Sequence, residues 1–217
     1  LTPKPVTRLI NTHTHGDHVS GNVEFPTTVE VIAQENTKAN MEKMKIFADN
    51  NGKGLAKTTF KDKMTLGQGA DQIDLYYFGR GHTNGDAWVV FKANRVVHSG
   101  DIFAGKQVPL IDAANGGSML EMADTLGKAH SGIKDVDTII NGHMPTLTTF
   151  ADLKEYAEFN KDLVTWMQEQ LKAGKTPEQA AAEWKLPEKY KGYNPTVGAL
   201  FGGLAGRIQT LANEMKK

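Results

Sequence analysis

The 217-residue chain contains no cysteine, which excludes disulfide frameworks, cysteine-based zinc fingers and thiol nucleophiles. Any metal must therefore be held by histidine and carboxylate. Net charge is also lacking, because 25 Lys and Arg balance 25 Asp and Glu, so no nucleic-acid partner is expected from electrostatics. Long apolar runs are missing as well. The longest uncharged apolar-rich stretch, Tyr193 to Gly206, falls well short of the roughly 20 residues that cross a bilayer, and glycine crowds it. The chain is expected to be soluble, without a membrane partner. It opens on Leu1 without the charged, apolar and small-residue regions of a signal peptide. The expectation is that an N-terminal targeting region is absent from this chain, with a periplasmic or secreted location left open.

What is present suits a folded domain: 39% of residues are apolar and 23% charged. Val6 to Asn11 is a β-branched and apolar run leading into His13, and Thr28 to Ala33 alternates like a strand. Glu35 to Asp49 has helical composition and no proline. Strands are predicted at Thr58 to Phe60, Ile73 to Phe78, Ala87 to Phe91 and Arg95 to His98, with a hairpin turn at Ala93-Asn94. A loop over 102–117, a helix from Ser118 to His130 and a strand from Val136 to Ile140 complete an α/β pattern. Beyond His143 the chain reads as helical, with Leu153, Tyr156, Ala157, Leu163, Met167 and Leu171 on one face. Thr176-Pro177-Glu178-Gln179 is a helix start signal. A last helix is predicted from about Thr196 to the end, on the spacing of Val197, Leu200, Phe201, Leu204, Ile208 and Leu211. Gly198, Gly202 and Gly206 would then form a stripe where another helix comes close, since each glycine in a helix costs about 1 kcal/mol against alanine.

Three of the seven histidines fall in His13-Thr14-His15-Gly16-Asp17-His18. In an extended segment His13, His15 and Asp17 point the same way, and Gly16 allows a turn that carries Asp17 and His18 toward a second point. Clustered imidazoles repel once protonated unless a cation or a dedicated network holds them. Three further ligand types each follow a β-type run and a glycine: His82 after Gly81, Asp101 after Gly100, and His143 after Gly142. Thr83, Asp86 and Ser99 are candidates to hold the ligand imidazoles. His98 and His130 are not expected to bind metal, and Lys43, Lys45, Lys61 and Lys63 read as a solvated face.

The pattern His13-x-His15-x-Asp17-His18, Gly81-His82-Thr83, Gly100-Asp101 and Gly142-His143, in that order across residues 11 to 143, resembles the metallo-β-lactamase superfamily and, within it, the glyoxalase II-like branch. The resemblance implies an α/β fold, a metallo-β-lactamase-like αββα sandwich. A metal-binding catalytic domain would span residues 1–148, with a helical C-terminal extension over 149–217 packed on it. It also implies that His13, His15 and His82 hold one metal, Asp17, His18 and His143 the other, and that Asp101 bridges them. Asp101 stands where lactamases with a cysteine ligand place that cysteine, so the set looks more like that of thioesterases and lactonases. Family members normally carry several strands and a helix before the His-rich motif, whereas twelve residues precede His13 here. The sandwich is therefore expected to be N-terminally truncated, and the uncovered sheet to favour a homodimer.

The expected cofactors are two Zn²⁺, with Fe or Mn as alternatives on ligand chemistry. Two such ions can generate hydroxide near neutral pH and polarise a carbonyl, so the expected activity is hydrolysis of a small-molecule thioester, ester, lactone or β-lactam. Asp17 would orient the attacking water and shuttle its proton. The alternatives are a mononuclear iron enzyme resembling persulfide dioxygenases, using His13, His82 and Asp101, and a metal-bound but inactive remnant. Pocket walls are expected from Phe103, Lys106 and Pro109 and from the C-terminal segment, with Lys106 more simply a solvent-exposed loop residue than an anchor for an anionic substrate.

Overall fold

The computed structural model describes residues 3–145 and 147–216. The β-branched runs form two sheets. In the first, β1 (Arg8–Ile10), β2 (Glu30–Gln34) and β3 (Thr58–Phe60) lie parallel in that order. The second takes β4 (Lys63–Leu66), β5 (Ile73–Tyr76), β6 (Trp88–Phe91), β7 (Val96–Gly100), β8 (Thr138–Asn141) and β9 (Thr148–Thr149) in sequence order. All of its neighbours are antiparallel except β7 and β8. That parallel pair needs a crossover, which α4 (Met122–Gly132) supplies.

A side-chain period of two sorts the layers. Ile32 of β2 packs with Leu75 and Val89 of the second sheet and with Ala87 just before β6, while its neighbours Val31 and Ala33 face the other way. In β6, Val89 faces that space between the sheets, and Trp88 and Val90 face a helical layer. That layer comprises α4, α5 (Phe150–Lys172) and α7 (Gly203–Glu214), and it shares one continuous core with the sheet, including Leu126, Tyr156, Met167, Ile208 and Leu211. Each such side chain contributes roughly 1.5–3 kcal/mol on burial. On the other side, α1 (Gly16–Val19), α2 (Glu35–Met41) and α3 (Lys45–Asp49) gather around Val19, Met41 and Phe47. The layered α/β arrangement with a helical C-terminal region is the one expected.

Local signals hold where capping chemistry is explicit. Thr176 and Gln179 form a capping box with Pro177 at the start of α6 (Pro177–Glu183), and Thr149 and Asp152 do the same for α5. Three expectations are corrected. The helix predicted over 35–49 breaks at Met44, whose backbone is extended. Met41 and Phe47 are both buried, and residues six apart do not share a face of one helix, so the break lets both turn inward.

The helix predicted from Thr196 starts only at Gly203, after a 3₁₀ turn over Leu200–Gly202. Phe201, Gly202 and Gly203 have φ of 54°, 77° and 62°, so no continuous right-handed helix runs through them into α7. The glycine stripe is therefore not a helix–helix surface. A Cβ at Gly198 or Gly202 would meet nothing within 4 Å, whereas one at Gly206 would lie 2.1 Å from the Phe201 carbonyl oxygen, so Gly206 lets the turn fold back onto α7. The expected end of that helix at Lys217 lies outside the described residues. Strands β4 and β9 were not expected from the sequence. Among the described residues, no helix is long and apolar enough to cross a membrane.

Candidate metal centre

All seven predicted ligands converge where strands of the two sheets run out. The segment after β1 delivers His13 and His15, and His15, extended in backbone, precedes the one-turn helix α1, which carries Asp17 and His18 away to a second point. The loop after β5 brings His82, while the ends of β7 and β8 bring Asp101 and His143. Two glycines make this approach possible. Gly100, at φ 54°, sits at the register shift between His98 and Gly100, and a Cβ there would lie 2.8 Å from the Thr12 side chain. Gly142 leaves room for Asp101 itself, since a Cβ would fall 1.8 Å from its Oδ1.

The ligand atoms form two groups. His15 Nδ1 lies 3.2 Å from His13 Nε2 and 3.0 Å from His82 Nε2, and Asp101 Oδ2 lies 3.7 Å from the Nε2 atoms of His13 and His82. In the second group, His18 Nε2, His143 Nε2 and Asp17 Oδ2 are mutually 3.3 Å apart. Asp101 stands between the groups, with Oδ2 3.0 Å from His143 Nε2 and Oδ1 3.6 Å from His18 Nε2. His98 and His130 lie outside both groups: His98 Nδ1 accepts from the Gly100 N–H, and His130 stacks on Phe150. The lysines at 43, 45, 61 and 63 are exposed, as expected.

Outward contacts fix the inward lone pairs. His82 Nδ1 donates to the Leu110 carbonyl at 2.9 Å, and His15 Nε2 donates to Asp112 Oδ2 at 2.7 Å. A carbonyl and a carboxylate can only accept, so His82 Nε2 and His15 Nδ1, in their neutral rings, present lone pairs toward each other. Burial holds the His13 imidazole well below its usual range, and the surrounding His82, His18, His15 and His143 push it further down. His82 is lowered mainly by burial. Burial also pulls on His18, but the neighbouring carboxylates of Asp101 and Asp17 leave it raised. For Asp101, burial opposes ionisation, yet His18, His82 and His143 hold its carboxyl below the usual range. Its Oδ1 is buried without a hydrogen bond. Converging lone pairs and an orphaned buried carboxylate oxygen are costly by themselves and fit a cation among them.

The predicted supports differ from those observed. Thr83 and Asp86 bond each other, and Ser99 reaches the carbonyls of Phe103 and Ile140. The ligand rings are instead held by Thr12, the Leu110 carbonyl and Asp112, the last also accepting from Ala114 N, Asn115 N and Asn115 Nδ2. The only sequence signal for Asp112 is its place before a turn of small residues, where aspartate caps the backbone.

A cavity of about 580 Å³ opens over both groups, walled by Val108, Leu110, Val197, Leu200 and Phe201. The Phe201 ring stacks on His15 with centroids 5.7 Å apart. Of the three wall residues expected from the 102–117 loop, Phe103 is buried against Tyr156, Pro109 offers its carbonyl to Arg207, and Lys106 is tied to Asp152 at 2.7 Å and Glu155 at 3.5 Å. Lys106 is therefore neither a free loop residue nor a cation of this cavity.

A family profile described as "Metallo-beta-lactamase superfamily" matches residues 1–143. Among solved structures, the chain is similar to a metallo-beta-lactamase from Pontibacter korlensis, with a TM-score of 0.57 and 21% identity over 73% of this chain and 71% of that one. It is also similar to the DIM-1 metallo-beta-lactamase, with a TM-score of 0.55 and 21% identity over 70% of this chain and 68% of that one. These two likenesses speak to the fold alone. No curated protein matches the chain in sequence.

Proposed function

Because this chain belongs to the metallo-β-lactamase superfamily, we propose that it is a dinuclear zinc-dependent hydrolase acting on an acyl bond of a small molecule, whether thioester, ester, lactone or lactam. The observation that carries this reading is the pair of ligand groups sharing Asp101. A mononuclear iron centre would leave Asp17, His18 and His143 converging at 3.3 Å without a purpose.

His13, His15, His82 and Asp101 would hold the first ion, and Asp17, His18, His143 and Asp101 the second. When bound, such ions lower the pKa of water to about 7 and polarise a carbonyl oxygen. The chain's own residues supply the rest. Thr12, the Leu110 carbonyl and Asp112 orient three imidazoles with their lone pairs inward. Asp17 is the one exposed carboxylate of the set, and its Oδ2 faces the cavity that holds the substrate. It orients the attacking water and takes its proton. The apolar wall of Val108, Leu110 and Phe201 excludes bulk water around the scissile bond.

The test is a panel of chromogenic thioester, ester, lactone and β-lactam substrates, assayed on zinc-loaded and on chelator-treated protein. Hydrolysis of at least one acyl class, abolished by the chelator and restored by zinc, is the expected result. Oxygen consumption on a persulfide by protein holding one iron per chain, with no acyl hydrolysis, would overturn it.

A further inference from the structure

One charged side chain in the cavity wall takes no part in the chemistry above. Arg207 lies on α7 and is 1% exposed, yet it lines the same cavity as the metal-ligand groups. Its Nε donates to the Pro109 carbonyl, and Nη1 donates to the carbonyls of Leu200 at 3.2 Å and Gly203 at 2.6 Å. All three acceptors are neutral backbone groups. Among the described residues no carboxylate pairs with this guanidinium, and none accepts a hydrogen bond from Nη2.

A buried guanidinium remains charged and is normally paired. Burial pulls Arg207 down from its usual range, opposed by the Tyr156 phenol and by no carboxylate. The carboxylates that share the cavity are already engaged: Asp112 accepts from His15, Ala114 and Asn115, while Asp17 and Asp101 stand among the histidines. Arg207 is the sole lysine or arginine among the described residues lining the cavity. The unmatched positive charge therefore sits beside the space a substrate would occupy, with the partly exposed faces of Leu200 and Phe201 next to it.

We propose that Arg207 binds a carboxylate of the substrate, so that the chain acts on acyl compounds carrying a free carboxylate beside an apolar segment. The guanidinium edge at Nη2 accepts the anion, and the apolar segment lies against Leu200 and Phe201 while the acyl carbon is presented to the ligand groups. The carbonyl contacts from Nε and Nη1 hold the fork in place, so little side-chain freedom is lost when the anion arrives. This assignment of substrate class rests on the hydrolase reading for its catalytic part; the anion site itself does not.

The test compares two esters of matched length, the 4-nitrophenyl monoester of glutarate and 4-nitrophenyl butyrate, on zinc-loaded protein. It also measures binding of glutarate and of its neutral diamide by calorimetry, with and without zinc. The wild type is expected to prefer the carboxylate-bearing ester by at least about ten-fold in kcat/KM, carried mainly by KM, as one charge-assisted contact gives. Arg207→Met should bring that ratio toward one. Glutarate, but not the diamide, should bind the metal-free wild type, and this binding should vanish in Arg207→Met. Equal use of the two esters by the wild type overturns the proposal, as does glutarate binding that disappears on chelation and survives in Arg207→Met. If Arg207→Met does not fold, the wild-type ester ratio and metal-free binding decide alone. If neither ester turns over, the four-class substrate panel decides the hydrolase reading, while metal-free glutarate binding alone upholds or refutes the anion site.

Discussion

Asp112 determines which nitrogen of His15 faces the ligand group, because a carboxylate accepting at 2.7 Å keeps the proton on Nε2 and leaves the Nδ1 lone pair inward. Asp112→Ala is expected to weaken zinc binding about 10- to 100-fold, with Asp112→Asn intermediate, read by competition with a chromophoric chelator. Unchanged affinity in a folded Ala variant would show that His15 needs no such partner. The buried histidines also set a pH dependence for the metal-free protein. His13, His82 and His98 have lowered pKa values in the fold, so the unfolded chain binds more protons as pH falls below about 6.5. Their contribution is complete above that pH and is lost as pH falls toward their folded values. His18, which is raised, acts in the opposite sense but is one group against three. Melting temperature should therefore fall between pH 7 and pH 5.5, and a constant or rising value would contradict the burial account. At this scale the sequence was legible wherever residue type alone limits chemistry. His13, His15, His18 and the four partners that join them stood out because few other roles suit such density. Asp112 and Arg207 did not, because one is an ordinary turn residue by type and the other falls on the apolar stripe Leu204, Ile208 and Leu211, where periodicity hides a single charge.

At the scale of elements, strand ends carry the geometry, and their glycines are the sensitive points. Gly142→Ala would force a methyl group to within 1.8 Å of Asp101 Oδ1. It is expected to destabilise the fold by about 1–3 kcal/mol and to displace the shared carboxylate. Gly127, inside α4, offers the contrast: nothing lies within 4 Å of a Cβ there and its φ is ordinary. Gly127→Ala should stabilise by about 1 kcal/mol. Urea unfolding of the two variants checks both signs, and equal shifts would contradict the assigned role of Gly142. Elements with explicit local chemistry were readable, such as α6 with its Thr176-Pro177-Gln179 start and β6 with its run of β-branched and aromatic residues. The start of α7 was not. Apolar spacing continues through Val197, Leu200 and Phe201 although the backbone reverses at Phe201, because those side chains line the cavity and not a helix face.

Across the whole molecule, the two sheets and the C-terminal helices converge on one cavity: the ends of β1, β7 and β8 supply candidate ligands, and the turn before α7 supplies the wall. The layered class followed from the order of strands and helices, whereas the placement of the C-terminal turn over His15 depends on long-range packing that no local pattern carries. On the proposed function, this convergence holds two metal ions through one shared carboxylate. Calorimetric titration of the metal-free protein with zinc tests it most directly, on the wild type and on His18→Ala. The wild type should bind two equivalents, and His18→Ala, with the group of His13, His15 and His82 intact, should retain one. A single equivalent in the wild type, or the same two in His18→Ala, would contradict the account.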